Sequence, residues 1–301
     1  MLAVVGTIPE QRFPLLSDRV RLEDGWISIQ GTRVPVNRGT PALLGAAIKC
    51  LETLNLELPM AHLVGDIGLG DGSRRLYDHL VRHLKHTHDE TLAFHYLQPD
   101  VDWHNKVLFA VQDMARRPVL IADAGFMYAA KMSGQAEAYD LFTPDVGELA
   151  FLADEEAPHP FYTRGFILHE ENNVPELIAR AYRHHNAARY LLVKGSRDYV
   201  ADRSGILSAI DSPMEEALEP IGGTGDLLTG IVSALIQSGF PIGEAAALGA
   251  GINRLAGHYA APSPVTQVAQ IIPHIPKALE EVLQNNGKGH LAKRNPACHC
   301  A

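Results

Sequence analysis

The sequence has few cysteines, no excess of basic charge and no long apolar run. Its 301 residues include three cysteines, Cys50 within a helical pattern and Cys298 and Cys300 close to the C-terminus. This odd, uneven set excludes a framework of disulfide bonds and indicates a reducing compartment. Residues 1–9 are apolar but short, and no basic segment precedes them. We therefore predict no signal peptide and no transmembrane span, and we expect a cytoplasmic protein.

Acidic residues outnumber basic ones by 35 to 26, which gives a formal net charge of −9 and a pI near 5.9. Nucleic acids and anionic membranes bind basic surfaces, so we expect neither as a partner and expect a small-molecule substrate. Hydrophobic residues make up 46% of the chain, enough for the core of an α/β protein. Because no repeat or linker divides the chain, we predict one domain over residues 1–284 and a mobile tail over residues 285–301.

Apolar strands alternate with helices over most of the chain. Strands are predicted at residues 62–65, 91–95, 118–123, 141–143 and 190–193. Helices are predicted at residues 73–84, 104–114, 173–185 and 243–261, from residue 147, and at residues 266–283 with an interruption or restart at Pro273 and Pro276. Continuous apolar strands that alternate with helices imply an α/β fold, with a mostly parallel central sheet and helices on both of its faces. The active site of such a sheet lies beyond the carboxyl ends of its strands.

The other segments are predicted from their turn residues. Residues 1–40 are rich in turn formers and are expected to wrap the edge of the domain, with a short strand at residues 25–29. Thr40 is expected to cap a helix whose first residue is Pro41. Residues 199–210 are expected to form a hairpin.

The most informative stretch is the glycine-rich loop Gly222-Gly223-Thr224-Gly225, which is followed directly by Asp226. Glycines allow the backbone to turn with its amides facing outward, and the apolar residues that follow recur at helical spacing. The loop therefore leads into a helix N-terminus, where free amides and the helix dipole favour a phosphate or an oxyanion. We predict an anion hole in this loop. Asp226 either caps the helix or, beside the amides, takes a proton from a substrate hydroxyl.

Polar residues also follow the predicted strands directly. Asp66, Asp123, the turn at residues 143–148 and Lys194 each stand just beyond a strand. Because the carboxyl ends of parallel strands meet at one edge of the sheet, we expect these residues to face the same crevice as the glycine-rich loop.

Three segments carry a family resemblance: Thr143-Pro144-Asp145-Val146-Gly147-Glu148, then residues 191–198, then residues 222–230. Together they resemble the ribokinase-like superfamily, and within it the NAD(P)H-hydrate dehydratase branch. The resemblance implies a ribokinase-like fold over most of the chain. It also implies an enzyme that uses ATP or ADP to phosphorylate the hydroxyl of hydrated NADH or NADPH, after which loss of phosphate restores the double bond and repairs the cofactor.

The resemblance implies a nucleotide site and a reacting group. The adenine nucleotide would lie along Lys194, Gly195, Ser196, Arg197 and Asp198. The Lys194 ammonium would contact a phosphate, to which Gly225 would come close through its backbone. Asp226 would contact the reacting hydroxyl. A solvated lysine at a strand end is the alternative for Lys194.

The resemblance also implies substrate and metal contacts. Ala46 or Ala47 and Asp145 would lie near the substrate, although packing between helices explains the two alanines equally well. Mg²⁺ usually bridges the phosphates in such enzymes. Glu148 or Asp123 would hold water bound to the metal, and the alternative for both is a capping or ion-paired carboxylate.

Some positions depart from the family, chiefly on the substrate side. Asp145 replaces a histidine, residues 98–102 replace a Gly-Pro-Gly turn, and residues 213–219 replace an Asn-Pro-Gly segment. These departures favour an alternative function, a kinase of the same fold that phosphorylates a small alcohol such as a vitamin precursor or a sugar. A nucleotide-binding regulator without activity is a third hypothesis, against which the intact Asp226 argues. Family members often form oligomers, so a homo-oligomer is also implied.

Fifteen histidines raise the question of a metal site. His79 and His83 are four residues apart on a predicted helix, and a Cys-His-Cys sequence occupies residues 298–300. Neither group has the second pair of ligands that a structural zinc site requires. We interpret them as surface histidines and part of the tail.

Overall fold

The structure, a computed structural model, describes residues 1–163, 173–263 and 265–287. Its strands are β1 (Leu2–Ile8), β2 (Leu16–Arg19), β3 (Arg21–Glu23), β4 (Trp26–Ile29), β5 (Thr32–Pro35), β6 (Met60–Gly65), β7 (Thr91–His95), β8 (Val119–Ala122), β9 (Leu141–Phe142), β10 (Tyr190–Val193), β11 (Asp198–Asp202) and β12 (Gly205–Ile210). Its helices are α1 (Thr40–Thr53), α2 (Asp71–His83), α3 (Val101–Gln112), α4 (Ala124–Met132), α5 (Val146–Ala153), α6 (Val174–Arg183), α7 (Thr224–Gln237), α8 (Ile242–Tyr259), α9 (Val268–Ile271) and α10 (Ile275–Asn285).

Within these residues, nine strands form one sheet in the order β12-β11-β10-β9-β8-β7-β1-β6-β2. The six strands from β10 to β6 in that order run parallel. The hairpin β11–β12 extends one edge in antiparallel fashion, and β2 closes the other edge. The predictions of a mostly parallel sheet and of a hairpin at residues 199–210 are confirmed.

Helices cover both faces of the sheet. One hydrophobic core contains residues of α1, α7, α8 and α10, and a second contains residues of α2, α3, α4, α5 and α6. Strand β1 contributes to both, because Leu2 and Val4 point into the first core while Ala3 and Val5 point into the second. This alternation follows from the period of two along a strand. It also requires both faces to be apolar, and for that reason the central strands are continuous hydrophobic runs.

The expectation that residues 1–40 wrap the edge of the domain is wrong for Leu2–Ile8. That segment is a fully buried central strand, hydrogen-bonded to β6 on one side and to β7 on the other. Its unbroken apolar sequence is typical of a parallel strand that is covered on both faces, and the turn formers that follow it obscured this pattern. The rest of the segment agrees better with the expectation, since β2 is an edge strand and β3, β4 and β5 form a separate small sheet.

Helices α1 and α7 pack closely, and this contact positions the start of α7. A Cβ atom added to Gly230 of α7 would lie 2.2 Å from the carbonyl oxygen of Leu43 in α1, so only glycine fits there. The cap of α1 differs from the prediction. Gly39, with φ 69°, is the N-cap, and Thr40 is the first helical residue. The Thr40 hydroxyl is hydrogen-bonded to His95 and caps nothing.

Candidate active site

Side chains from distant parts of the chain meet at the carboxyl ends of the parallel strands. His95 is the last residue of β7, Asp123 and Lys194 directly follow β8 and β10, and Asp226 lies in the first turn of α7. Hydrogen bonds and ion pairs link all four side chains into one buried cluster. Asp123, Lys194 and Asp226 were expected from the sequence to face one crevice, and the structure brings these three together.

The carboxylate of Asp226 is held at both of its oxygens. The Gly39 amide donates to Oδ2 at 2.6 Å, and Nε2 of His95 lies 3.1 Å from Oδ1. Burial alone would raise the pKa of Asp226. The hydrogen bond from His95 and the nearby charge of Lys194 outweigh burial and lower that pKa below its ordinary value. Asp226 is therefore an ionised, oriented acceptor, and its side chain is almost fully buried.

Asp123 and Lys194 form an ion pair beside Asp226. The Lys194 ammonium lies 3.1 and 2.9 Å from the two oxygens of Asp123. Burial lowers the pKa of Lys194, but the negative charge of Asp123 and the hydrogen bond to it outweigh burial and raise the pKa above its ordinary value. Lys194 is therefore a fixed positive charge at the floor of the crevice. Thr229 donates a third hydrogen bond to the same carboxylate, at 2.8 Å.

The glycine-rich loop ends in unpaired amides beside that ammonium. Gly223 is the N-cap of α7 with φ 102°, and no side chain caps the helix, so the amides of its first turn have no intrahelical acceptor. A Cβ atom on Gly225 would lie 3.4 Å from Cδ of Lys194, so the lysine side chain passes directly along this turn. Free amides, a helix N-terminus and an ammonium group together fit a phosphate.

The rim of the crevice carries Tyr96 and Arg38. Tyr96 has a positive φ of 51° and is 40% exposed. Burial and the charge of Asp226 raise the pKa of Tyr96, and Arg38 lies close to its hydroxyl. On its other side Arg38 packs against Gly223, where an added Cβ would come within 3.1 Å of the Arg38 Cα atom. An aromatic ring and a guanidinium thus stand at the entrance to the glycine-rich loop.

Asp145 and Glu148 cap helix α5. The Glu148 amide donates to Oδ1 of Asp145 at 2.7 Å, and the Asp145 amide donates to Oε2 of Glu148 at 2.8 Å. This reciprocal pair is a capping box. Burial and the negative charge of Asp123 raise the pKa of Glu148 to about 8. Glu148 therefore keeps its proton to a higher pH than an ordinary glutamate does.

The raised pKa of Glu148 predicts a pH-dependent contribution to stability. In the unfolded chain Glu148 loses its proton near its ordinary value of 4.5, whereas in the folded protein it keeps it up to about pH 8. The stability that Glu148 contributes is therefore complete below about pH 4.5 and is lost as the pH rises through about 8. The Glu148→Gln protein, which cannot ionise there, should gain stability relative to wild type between about pH 5 and about pH 9.

Urea denaturation of both proteins at the two pH values measures this difference. Glu57→Gln removes an exposed carboxylate that pairs with Arg19 and serves as the control. A stability difference for Glu148→Gln that stays constant across the range would mean that Glu148 is already ionised in the folded protein at neutral pH.

Asp123 and Glu148, for which the resemblance implies contact with water bound to a metal, already have partners within the protein. The Asp123 oxygens already accept hydrogen bonds from Lys194, Thr229 and the Ala124 amide. Tyr128 donates to Glu148, whose other oxygen is used in the capping box. Over the described ranges, no three His, Cys, Asp or Glu side chains are arranged to hold a metal ion. These contacts are those of the alternative, a capping and an ion-paired carboxylate, and contact with water bound to a metal stays a prediction.

The strand end at residues 194–198 is held by a residue that sequence reasoning missed. Arg254 of α8 donates to Asp198 at 2.7 Å and to the carbonyl oxygens of Gly195 and Ser196 at 2.9 Å each. Asp198 is buried in this contact, so its role is to shape the turn. Arg197 is exposed and pairs with Asp211. Gly195 and Ser196 are exposed, but Arg254 holds both of their carbonyl oxygens and the Gly195 amide donates to Asp198 at 3.1 Å. Nucleotide contact along this turn stays a prediction.

Three other predicted groups lie away from the cluster. Ala46 and Ala47 are fully buried in α1, and Ala46 packs against Gly230 of α7, so the packing role explains them. Asp66 accepts hydrogen bonds from three amides of the loop that leads into α2 and from the amide and hydroxyl of Ser73. That loop uses the whole Asp66 carboxylate.

The histidines of α2 form no metal site. The rings of His79 and His83 stack with centroids 4.3 Å apart, and His83 is exposed. The Cys-His-Cys sequence lies outside the described residues, as does most of the expected tail; helix α10 runs to Asn285. None of the helices in the described ranges is long and apolar enough to cross a membrane.

A model of the NAD(P)H-hydrate dehydratase family matches residues 99–277, more than half of the chain. The chain belongs to this family. A protein of Methanocaldococcus jannaschii without a characterised function is 44% identical over 243 residues, which are 80% of this chain and 100% of the relative. The bifunctional NAD(P)H-hydrate repair enzyme of Pyrobaculum aerophilum is 30% identical over 156 residues, which are 50% of this chain and 28% of that enzyme.

Solved structures agree on the fold. A ribokinase-like superfamily protein from Enterococcus faecalis matches with a TM-score of 0.55 and 13% identity, over 93% of this chain and 87% of that one. A pyridoxal kinase from Staphylococcus aureus in complex with AMP-PCP and pyridoxal matches with a TM-score of 0.53 and 11% identity, over 85% and 88% of the two chains. At such identities the likeness concerns the fold, which is ribokinase-like as the resemblance implied.

Sequence reasoning on this member of the dehydratase family missed one residue of the cluster and one residue that donates to it. His95 is fully buried and bonded to Asp226, yet it was predicted only as the end of a strand. Thr229 was predicted only as part of the glycine motif. A polar residue that directly ends a continuous apolar strand is the signal that could have identified His95, because the same signal identified Asp123 and Lys194.

Proposed function

We propose that the protein dehydrates hydrated NADH or NADPH in a reaction that consumes ATP or ADP. The observation that carries the proposal is the position of Asp226. This ionised carboxylate lies in the first turn of α7, beside free amides and the Lys194 ammonium. A base and an anion site are thus adjacent, which phosphoryl transfer to a hydroxyl requires. Membership of the dehydratase family supports hydrated NAD(P)H as the substrate.

The proposed reaction has two steps. In the first, the substrate hydroxyl oxygen attacks the terminal phosphorus of the nucleotide, the shortened nucleotide leaves, and Asp226 accepts the hydroxyl proton. In the second, the carbon–oxygen bond breaks and phosphate leaves with the electron pair, while the neighbouring carbon gives a proton to water and the double bond forms. The amides of the glycine-rich loop and Lys194 would hold the phosphoryl group in both steps.

The lowered pKa of Asp226 suits this chemistry. A weakly basic carboxylate cannot remove a proton from a free alcohol before bond formation. Phosphoryl transfer passes through a loose transition state, in which the hydroxyl becomes acidic only as the bond to phosphorus forms. Asp226 then needs to be oriented and ionised more than it needs to be strongly basic, and its contacts with Gly39 and His95 provide both conditions.

The second candidate is a kinase that phosphorylates a small alcohol. The observation that favours it is the capping box of α5, in which Asp145 occupies the family's histidine position. An anionic capping residue cannot donate a hydrogen bond to the substrate as a histidine would. Tyr96 and Arg38 at the rim offer a different set of contacts for a substrate.

Incubation with hydrated NADH, ATP or ADP and Mg²⁺ tests the proposal, with the return of nicotinamide absorbance as the readout. Recovery that depends on the nucleotide would establish the repair reaction and identify the preferred nucleotide. No recovery, with nucleotide binding still seen in a thermal shift assay, would contradict it. Phosphorylation of another alcohol in a metabolite screen would then support the kinase, and binding without any transfer would support a regulator.

The anion hole yields a separate prediction for Gly225→Ala. The new methyl group would lie against the Lys194 side chain, in ordinary contact at 3.4 to 3.7 Å. We therefore expect the fold to be retained, while the methyl group keeps a phosphate from the first turn of α7. Nucleotide affinity should fall about tenfold or more, which corresponds to about 1.4 kcal/mol.

Isothermal titration with ADP measures this effect. Gly251→Ala places the same methyl group on α8, where only Val282 lies within 4 Å of it, and it should leave the affinity unchanged. Equal affinities of wild type and Gly225→Ala would mean that the phosphates do not bind at this turn.

A further inference from the structure

His95 lies behind Asp226 and connects it to the start of α1. Its ring is fully buried, with Nε2 3.1 Å from Oδ1 of Asp226 and Nδ1 3.1 Å from the hydroxyl of Thr40. Both ring nitrogens are thus engaged inside the protein. The three side chains form a continuous chain that ends at the proposed proton acceptor.

The direction of these hydrogen bonds follows from the chemistry of the groups. An ionised carboxylate can only accept, so Nε2 of His95 carries the hydrogen and donates it to Asp226. Nδ1 is hydrogen-bonded to the Thr40 hydroxyl, which can both donate and accept. Thr40 therefore holds the ring in the orientation that presents Nε2–H to Asp226.

The surrounding backbone leaves room for this arrangement only because of a glycine. A Cβ atom on Gly6 of β1 would lie 2.6 Å from Oγ1 and Cγ2 of Thr40 and 2.9 Å from the carbonyl oxygen of His95. Any larger residue would push the Thr40–His95 pair apart. The Gly39 amide completes the arrangement by donating to the other oxygen of Asp226. The carboxylate is thus fixed from two sides.

We propose that His95 is a positioning residue, whose Nε2–H group holds Oδ1 of Asp226 so that the carboxylate faces the substrate hydroxyl. The inference rests on the role of Asp226 in the proposed function. Without His95, the carboxylate keeps only the hydrogen bond from Gly39 and rotates about it. A displacement of about 1 Å at a reacting group can cost about 100-fold in rate.

Two substitutions separate the hydrogen bond from the volume of the ring. His95→Gln supplies an amide N–H that reaches the same carboxylate, whereas His95→Leu fills similar space without a donor. We expect kcat to fall about 100-fold in His95→Leu and to recover to within about tenfold of wild type in His95→Gln. KM for the nucleotide should stay within about twofold in both, because the phosphate site lies on the other side of Asp226. Thr40→Val, which removes the hydrogen-bond partner of Nδ1, should give an intermediate loss of kcat.

His104→Leu is the matched control. His104 is also fully buried and hydrogen-bonded at both nitrogens, to the hydroxyls of Tyr139 at 2.8 Å and Ser133 at 3.1 Å, but it lies in the second core. Its replacement should lower the melting temperature and leave kcat unchanged. If His95 had only a structural role, His95→Leu would likewise lower the melting temperature and leave kcat unchanged. That result would overturn the inference. Equal losses of kcat in His95→Leu and His95→Gln would also overturn it.

Crystal structures of wild type and the His95 variants test the inference without any activity. We expect the Asp226 carboxylate to turn away in His95→Leu and to keep its orientation in His95→Gln. An unmoved carboxylate in His95→Leu would overturn the positioning role even if hydrated NADH is the substrate. A displaced carboxylate in a protein that does not act on hydrated NADH would support the positioning role while the proposed function failed. If His95→Leu does not fold, His95→Gln and Thr40→Val provide the same comparison.

Discussion

Replacement of Asp226 with asparagine is expected to lower kcat about 1,000-fold while nucleotide affinity stays within about twofold. Asparagine keeps the size of the side chain but cannot accept a proton. It also conflicts with its surroundings, because its NH₂ group must face either the Gly39 amide or the His95 Nε2–H, and both are donors. Affinity should persist, since the phosphates contact the amides of the loop and Lys194.

Steady-state kinetics and isothermal titration with ADP measure the two quantities. Asp140→Asn is the control, because Asp140 is buried directly before β9 and outside the site. Its carboxylate pairs with Arg117 and accepts a hydrogen bond from the Leu120 amide of β8. It should lose stability and keep kcat. If Asp226→Asn retained full activity, the mechanism proposed for this carboxylate would be wrong. If it lost nucleotide binding as well, Asp226 would have a structural role in the loop.

Local patterns were sufficient to predict the layered fold and half of the site. Parallel strands buried on both faces are continuous apolar runs, so their ends could be located, and the residues just beyond them include Asp123 and Lys194. The glycine-rich loop was predictable because glycine, free amides and a helical pattern occur within a few residues of one another. The capping box of α5 was equally local, since Asp145 precedes Glu148 by three residues.

The remaining contacts join residues that are far apart in the chain, and no local pattern indicates such pairs. His95 and Asp226 are separated by 131 positions, and Arg254 lies 56 positions from Asp198. Each pair forms only because the sheet and its helices bring the two segments together. The burial of Ala46 against α7 has the same origin: the α1–α7 contact depends on Gly230, whose importance appears only when both helices are in place.

Replacement of Lys194 with methionine is expected to weaken both the fold and nucleotide binding. Lys194 is the cation that pairs with Asp123, and the Asp123 side chain is 1% exposed. Removal of one partner leaves a buried charge without compensation, which typically costs about 3 to 5 kcal/mol of stability. The same ammonium lies along Gly225, where a phosphate would bind. We therefore also expect affinity for ADP to fall about 10- to 100-fold, or about 1.4 to 2.8 kcal/mol.

A second substitution separates the two effects. In the double variant Lys194→Met/Asp123→Asn a neutral amide replaces the buried carboxylate, so most of the lost stability should return. The affinity for ADP should stay low, because no cation has been restored. Lys49→Met removes a partly exposed lysine that pairs with Glu52 and should change stability by less than about 1 kcal/mol. Urea denaturation and calorimetric titration provide both measurements. Recovery of affinity together with stability in the double variant would mean that Lys194 acts on the fold alone and does not contact the phosphate.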